Sequence, residues 1–512
     1  MNEIDPNLRF NAEAVKRHDG GAPNAVRREE LNAIAEQVAR QYRQDSMSPV
    51  IVSGTLRLVE FAILVLSGLV IYLAYVGVHK TLLWQYPAVI LGGSAAMVIV
   101  LELADTYQIP SLRKPWSQIG RILFSWSGVF AVLTLIGFFL KVSADFSRVW
   151  LATWFGTGFV ALMVLRLVLS RFIKLWARNG KMERRALIVG GGKVAESLIR
   201  SIEIQPDNDI RICGIFDDRD DVRSPPVVAG YPKLGTVGEL IEFARIARID
   251  MLIVAMPLTA ETRVLSLLKR LWVLPVDIRL SAHANKLQFR PRAYSHIGSV
   301  PMLDIFDKPI NDWDSVAKRA FDIVFSLIGI VLLSPVMLVT AIAIKLDSPG
   351  PVLFRQIRHG FNNEEINVLK FRSMYTKMND PTGKNAVTKG DPRVTKVGRF
   401  IRKSSIDELP QFFNALRGDL SLVGPRPHAI SAQSRDRLYG DVVEGYFARH
   451  RVKPGVTGWA QINGWRGEID NDEKIKMRTE YDLFYIENWS LWFDLKILFL
   501  TPIRLLNTEN AY

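Results

Sequence analysis

The sequence predicts a membrane protein of α plus α/β class: a four-helix transmembrane unit, a Rossmann-like parallel-sheet domain, and an α/β domain anchored by a re-entrant helix. Three observations predict it. Four long apolar runs lie in the first third of the chain. A strand, glycine turn and helix follow them. A fifth apolar run, interrupted by Ser334-Pro335, then leads into a segment dense in arginine, lysine and paired acids. At 512 residues, 49% hydrophobic and net charge +14, the chain is long enough for several domains and too apolar in places to be wholly soluble. The expected boundaries are 1–50, 51–175, 180–305 and 315–512.

The runs at 58–78, 82–103, 122–140 and 149–165 each reach the length of a bilayer-crossing helix, about 20 residues. Residues 1–50 are polar, so no secretory signal peptide is expected. Arg40, Arg43 and Arg57 precede the first run, Arg113, Lys114 and Arg121 separate the second from the third, and a basic cluster over 166–185 follows the fourth. The opposite loops hold only His79 and Lys80, or Lys141, Asp145 and Arg148. This asymmetry predicts that both ends of the unit face the cytoplasm. The same charge suits contact with anionic membrane lipid. No nucleic acid partner is expected, because no recognised motif accompanies the charge. The single cysteine, Cys213, excludes an intramolecular disulfide and fits a reducing compartment. Residues 1–23 read as polar coil, and 24–43 as an amphipathic helix with Leu31, Ile34, Val38 and Tyr42 at helical spacing.

After the fourth run the pattern becomes that of strands alternating with helices. "RRALIVGGGKVAESLIRSI" places Gly190, Gly192 and Ala195 in the G-x-G-x-x-A arrangement of a nucleotide-binding turn. Further strands are expected at 210–216, 251–255 and 276–280, and Asp217 at the end of the second is placed for a ribose hydroxyl. A glycine turn also lets a helix pack closely on its strand, so both readings stand. The chain has no Tyr-x-x-x-Lys pair for redox or epimerase chemistry.

The fifth run, 320–344, carries Ser334-Pro335 near its middle. Proline removes a backbone donor and clashes one turn back, so a kink is expected, with the Ser334 hydroxyl available to a freed backbone group. A re-entrant helix over 318–345 is the reading adopted, because the cation-rich segment that follows suits cytoplasmic nucleotide substrates.

That segment supplies Lys370 and Arg372 on a strand, then Arg399 and Arg402 on a helix. "KSSIDELPQ" brings the adjacent acids Asp407 and Glu408, with Ser404 or Ser405 as a cap. Neighbouring carboxylates point in different directions, which suits a division of labour between nucleophilic attack or metal binding and polarisation. The same pair would also complement a helix dipole. In "VGPRP", prolines on both sides fix the backbone of Arg426, whose guanidinium can then take a phosphate in bidentate fashion. Gln461, Asn463 and Arg466 in "KPGVTGWAQINGWRG" are weaker candidates for a nucleotide or sugar site. "ENWSLWFDLKILFL" reads as an interfacial helix or, almost as well, as a core helix.

These motifs, in this order from Lys318 onward, resemble the catalytic domain of bacterial polyprenyl-phosphate hexose-1-phosphate transferases. The four helices and Rossmann-like domain resemble the long form of that family. The C-terminal segment is similar to that of undecaprenyl-phosphate glucose phosphotransferases. The resemblance implies a phosphoglycosyl transferase of the cell inner membrane that passes hexose-1-phosphate from a UDP-hexose, UDP-glucose by preference, to undecaprenyl phosphate. UMP is released, and exopolysaccharide, capsule or O-antigen synthesis begins. It also implies Asp407 as nucleophile and, with Glu408, as ligand of Mg2+, a phosphate clamp at Arg426, and a homodimer. UDP-galactose as donor, an inactive assembly scaffold, and a sugar-nucleotide dehydratase or epimerase are the competing readings.

Overall fold

The computed structural model describes residues 10–18, 30–43, 48–77, 84–178, 183–205, 210–220, 222–281, 295–297, 300–376, 391–428, 433–434, 437–443, 445–465, 467 and 471–505. Two compact units emerge, Asp45–Arg184 and the rest of the chain. Helices α1 (Ala12–Arg17) and α2 (Ala33–Gln41) belong to the larger unit, each capped by an asparagine side chain, Asn11 and Asn32. The expected coil over 1–23 therefore contains a helix, with Phe10 and Val15 in the core of the sheet domain. Leu31, Val38 and Tyr42 also pack there, whereas Ile34 faces outward at 61% exposure.

The smaller unit contains α3 (Pro49–Ile71, extended by a π turn to Val76), α4 (Gln85–Leu103), α5 (Ile119–Phe139) and α6 (Arg148–Arg178). Helices in lipid gain nothing from expelling water, so close fit and hydrogen bonds must hold them together. Both are present. Trp126, Trp150 and Trp154 are fully buried, and their indole N–H groups donate to the carbonyls of Phe155, Gly68 and Leu64 at 2.9, 3.1 and 3.0 Å. A Cβ at Gly68 would stand 2.9 Å from Trp154, so this approach requires glycine. At one end Glu60 accepts from Arg166 Nε at 2.5 Å and Tyr107 Oη at 2.6 Å, while Arg166 also donates to Gln118 and to the Thr106 carbonyl.

The sheet domain runs β1 (Arg184–Val189), α7 (Lys193–Glu203), β2 (Ile210–Phe216), β3 (Val227–Val228), β4 (Tyr231–Gly235), α8 (Val237–Ile246), β5 (Met251–Val254), α9 (Glu261–Leu271), β6 (Asp277–Ser281), β7 (Ser295–Ile297) and β8 (Val300–Phe306). The order is β3-β4-β2-β1-β5-β6-β8-β7. Successive residues of β1 and β5 serve opposite faces. Ala186, Ile188, Met251 and Ile253 join one core, and Leu187, Val189, Leu252 and Val254 the other. The strands pair in parallel from β1 through β5 to β6 and between β2 and β4, but β3, β7 and β8 pair antiparallel, so the sheet is mixed.

The last domain begins with α10 (Asp312–Asp347), which continues as one helix across Pro335. Then come the hairpin β9 (Leu353–His359) and β10 (Glu365–Phe371), α11 (Lys396–Lys403), a 3-10 turn Ile406–Glu408, α12 (Gln411–Arg417) and β11 (Ser421–Val423). The short strands β12 (Gln433–Ser434) and β13 (Arg437–Leu438), a 3-10 turn Tyr446–Arg451, β14 (Gly455–Thr457), α13 (Asp472–Glu487) and α14 (Leu491–Leu505) complete it. Strand β11 pairs in parallel with β14. In the middle of α10, Val331, Leu332, Leu338 and Val339 are 63–71% exposed. Such side chains forgo roughly 1.5–3 kcal/mol each when left in water, which marks this stretch for lipid. With the four helices of the smaller unit, α10 makes five among the described residues that are long and apolar enough to cross a membrane. The protein is a membrane protein.

Candidate active site

The acidic pair sits at a corner between two helices. Helix α11 ends at Lys403, and Ser405 then takes left-handed backbone geometry (φ 58°), uncommon for a residue with a Cβ. That reversal leads into the single 3-10 turn carrying Asp407 and Glu408. The expected serine cap does not form: the Ser405 side chain makes no cap bond, and the Ser404 hydroxyl donates back to the Phe400 carbonyl at 2.9 Å.

The two carboxylates have unlike surroundings. Glu408 accepts both arms of the Arg426 guanidinium, Nη1 at 3.2 Å and Nη2 at 2.5 Å, and Lys370 Nζ at 3.0 Å. The Asp407 carboxylate, half-buried, makes no hydrogen bond or ion pair with any described residue. Burial pushes Asp407 up to about 6, against the pull of Lys370 and with a further push from Glu408. Burial acts to raise Glu408 too, but Arg426 and Lys370 overcome it and hold this carboxylate well below its ordinary range. One acid is thus locked as an anion, while its neighbour changes charge close to neutral pH.

The Arg426 corner is held carbonyl by carbonyl. Lys318 Nζ donates to Val423 at 2.9 Å, Gly455 N to Pro425 at 2.9 Å, Arg449 Nη2 to Arg426 at 2.7 Å, Arg358 to Pro427, and His359 N to His428 at 3.3 Å. Gly424 lies against β14, where an added Cβ would meet the Lys453 carbonyl at 2.5 Å. Lys370 arrives from β10, which is tied to α12 by Leu369 N donating to Asn414 Oδ1 at 2.8 Å.

Comparison with known proteins places this corner in a family. The bacterial sugar transferase profile matches residues 313–508, and a CoA-binding domain profile matches 102–282. A UDP-glucose:undecaprenyl-phosphate glucose-1-phosphate transferase of Escherichia coli K12 is 39% identical over 366 residues, 71% of this chain and 76% of the relative. An enzyme of the same name from Xanthomonas campestris is 34% identical over 459 residues, 89% and 94% of the two chains. The chain belongs to the bacterial sugar transferase family. A UDP-N-acetylgalactosamine-undecaprenyl-phosphate N-acetylgalactosaminephosphotransferase of Aeromonas hydrophila is 47% identical over 195 residues, 38% of this chain and 44% of its own.

Within the transferase, the residues expected at the site separate. Asp407, Glu408, Arg426 and Lys370 form one cluster. Arg402, half-buried on α11, contributes an electrostatic pull on Asp407, while Arg399 is exposed on the same helix. Arg372 does not join them. It is 2% exposed, and its guanidinium donates to the carbonyls of Pro349, Ser348 and Ile344 and to Thr376 Oγ1, clamping the end of α10. Alternation carried one residue past β10 would put Lys370 and Arg372 on one face, but the carbonyls at the end of α10 capture the second. Asn463 donates to the Trp459 carbonyl, and Arg466 lies outside the described residues. In the sheet domain Gly190 has positive φ (106°), and Asp217 accepts from Gly191 N at 2.7 Å and pairs with Arg219 at 2.7 Å.

Sequence reasoning missed the buried charges behind the site. Lys318 pairs with Asp494 at 2.6 Å, and Asp322 accepts from Ser421 Oγ at 2.9 Å and Leu422 N at 3.0 Å. Their signal was present: a lysine and two aspartates embedded in apolar stretches where burial demands partners. Helix α14 satisfies both readings of its sequence, burying Ile497 and Asp494 while leaving Trp492 and Phe499 at 80% and 64% exposure.

Proposed function

We propose that this transferase moves glucose-1-phosphate from UDP-glucose to undecaprenyl phosphate through a covalent intermediate on Asp407. The observation that carries the reading is the unequal pair: Asp407 without a bonding partner beside Glu408, which holds two cations. An Asp407 oxygen attacks the β-phosphorus of UDP-glucose, the bond from that phosphorus to the oxygen bridging the α-phosphate breaks, and UMP leaves. An oxygen of undecaprenyl phosphate then attacks the same phosphorus, the aspartyl oxygen departs as carboxylate, and undecaprenyl-diphosphate-glucose results. Glu408 keeps Lys370 and Arg426 beside the nucleophile, so charge spreading over the transferred phosphoryl group meets cations already in place.

Mg2+ fits this chemistry as an ion shared with the substrate. Among the described residues no group of three or more His, Cys, Asp or Glu side chains is placed to hold a metal. Mg2+ is commonly held by one or two carboxylates together with substrate phosphates. Asp407 would hold it, because both Glu408 oxygens are occupied by Arg426 and Lys370. Bound there, the ion neutralises charge on the diphosphate.

The full-length relatives named for UDP-glucose support this donor. The packing of α10 supports a re-entrant helix, and the basic residues flanking the four helices support a cytoplasmic site. Lys318 and Asp322 near the start of α10 bond Asp494 and β11, and Arg372 clamps its end. One polar assembly therefore grips both ends, and a straight crossing would drag that assembly through hydrocarbon.

The test is UMP release by protein in detergent or polymer with UDP-glucose and Mg2+. Without undecaprenyl phosphate, a burst of UMP equal to the number of active sites is expected, and steady turnover once it is added. Absence of the burst in a protein that turns over would remove the covalent step. Turnover with UDP-galactose alone would change the donor.

A further inference from the structure

Arg426 is set from behind by groups that face away from the dyad. Arg449, in the 3-10 turn Tyr446–Arg451, is fully buried. Its Nε and Nη2 donate to Asp482 Oδ2 of α13 at 3.1 and 2.5 Å, the same Nη2 donates to the Arg426 carbonyl at 2.7 Å, and Nη1 meets His428 Nδ1 at 2.6 Å. Arginine only donates, so His428 accepts from Arg449 at Nδ1. One guanidinium thus bridges α13 and both residues flanking Pro427. Burying an arginine–aspartate pair rarely stabilises a fold more than apolar side chains would, whereas it can fix one geometry. The turn is anchored on its other side, where Ala448 and Phe447 pack into the core of the sheet domain and Trp272 closes on Gly445, at which a Cβ would stand 2.3 Å from the indole.

We propose that Arg449 and Asp482 are positioning residues for Arg426. The buried pair fixes the Pro425–Arg426–Pro427 backbone and, through it, the angle at which the Arg426 guanidinium meets Glu408 and the substrate phosphate. This rests on the transfer reaction proposed above. Arg449 itself touches neither carboxylate of the dyad.

Kinetics of the full chain test it. Arg449→Lys keeps the charge opposite Asp482 but cannot span Asp482, the Arg426 carbonyl and His428 together. Misplacement of a charge-stabilising group lowers kcat by roughly 10- to 100-fold, with a smaller change in KM for UDP-glucose. Arg426 is one of the cations that pull Asp407 down, so its displacement also moves the acid limb of the pH–rate profile to higher pH. A variant that had merely lost folded protein would keep the wild-type limb. In an Arg426→Ala background, Arg449→Lys should add no further loss. Unchanged kcat and limb in Arg449→Lys, or independent losses in the double variant, would overturn the proposal. If Arg449→Lys does not fold, Asp482→Glu, which keeps the charge and lengthens the tether, takes its place in the same comparison. Failure of the wild-type protein to release UMP from UDP-glucose would instead remove the transfer reading, a result distinguishable from either.

Discussion

Glu60 in the four-helix unit and Glu408 at the dyad are both carboxylates held by arginine, and the difference between their surroundings separates structure from chemistry. Around Glu60, Arg166 and Tyr107 fill the acceptor, and Gln118 and Thr106 take the remaining guanidinium donors. The network closes. Around Glu408 the cations are equally well taken, but a second carboxylate, Asp407, stands alongside with no partner of its own. A closed network can orient helices; one with a surplus acid among cations has retained reactivity at a cost in stability.

The largest expected effect tests that surplus. Asp407→Asn should lower UMP release by roughly 10^4-fold or more, as loss of a nucleophile does, and should raise the melting temperature, because it removes a carboxylate that burial disfavours. Retained turnover would sink the nucleophile assignment and, with it, the contrast between the two sites. Next in size, Arg166→Met strands Glu60 in an apolar interior and should cost about 3–5 kcal/mol of stability. Thermal unfolding in detergent reads that loss, and turnover per folded molecule should match the wild type. A fall in turnover per folded molecule would mean that the closed network also serves the reaction.

Glu408→Gln sharpens the comparison through pH. Asp407 works as an anion, so activity falls as pH drops through its value of about 6. Replacing Glu408 removes a neighbouring charge that raises Asp407 and frees Lys370 and Arg426 to face it. The acid limb should therefore move to lower pH, opposite to the shift expected for Arg449→Lys, while turnover at neutral pH falls roughly 10- to 100-fold as the cations lose their tether. An unmoved limb would show that Glu408 does not govern the charge of its neighbour.

Legibility in the sequence followed the range of each interaction. The long apolar helices, the strands from 210, 251 and 277 and the glycine turn were readable because apolar period and turn residues are local signals, whereas the short α1 lies in a stretch that reads as polar coil. The chemical pair and the proline-flanked arginine were readable because their spacing is contiguous. The sheet's antiparallel edge was not, since nothing in 295–306 records which partner it meets. Nor was the fate of Arg372, which has the same local pattern as Lys370 but is captured by carbonyls more than twenty positions earlier. Lys318–Asp494 and Arg449–Asp482 join residues distant in sequence, and a single chain gives each charge without its partner.

The smallest effect concerns the apolar helix. Pro335 cannot donate to the carbonyl four residues back, that of Val331, and Ser334 Oγ donates to this carbonyl instead at 2.8 Å. Ser334→Ala should cost about 1 kcal/mol where the surroundings are hydrocarbon, because the carbonyl is then left unsatisfied, and almost nothing where water can replace the hydroxyl. Pro335→Ala restores an N–H at that position, so in its background Ser334→Ala should cost nothing in either setting. Melting of the four proteins in lipid nanodiscs completes the cycle. A loss confined to the proline background places residues 331–335 in lipid, as the exposed Val331, Leu332, Leu338 and Val339 require, whereas no loss in either background would put them in water and end the re-entrant reading of α10.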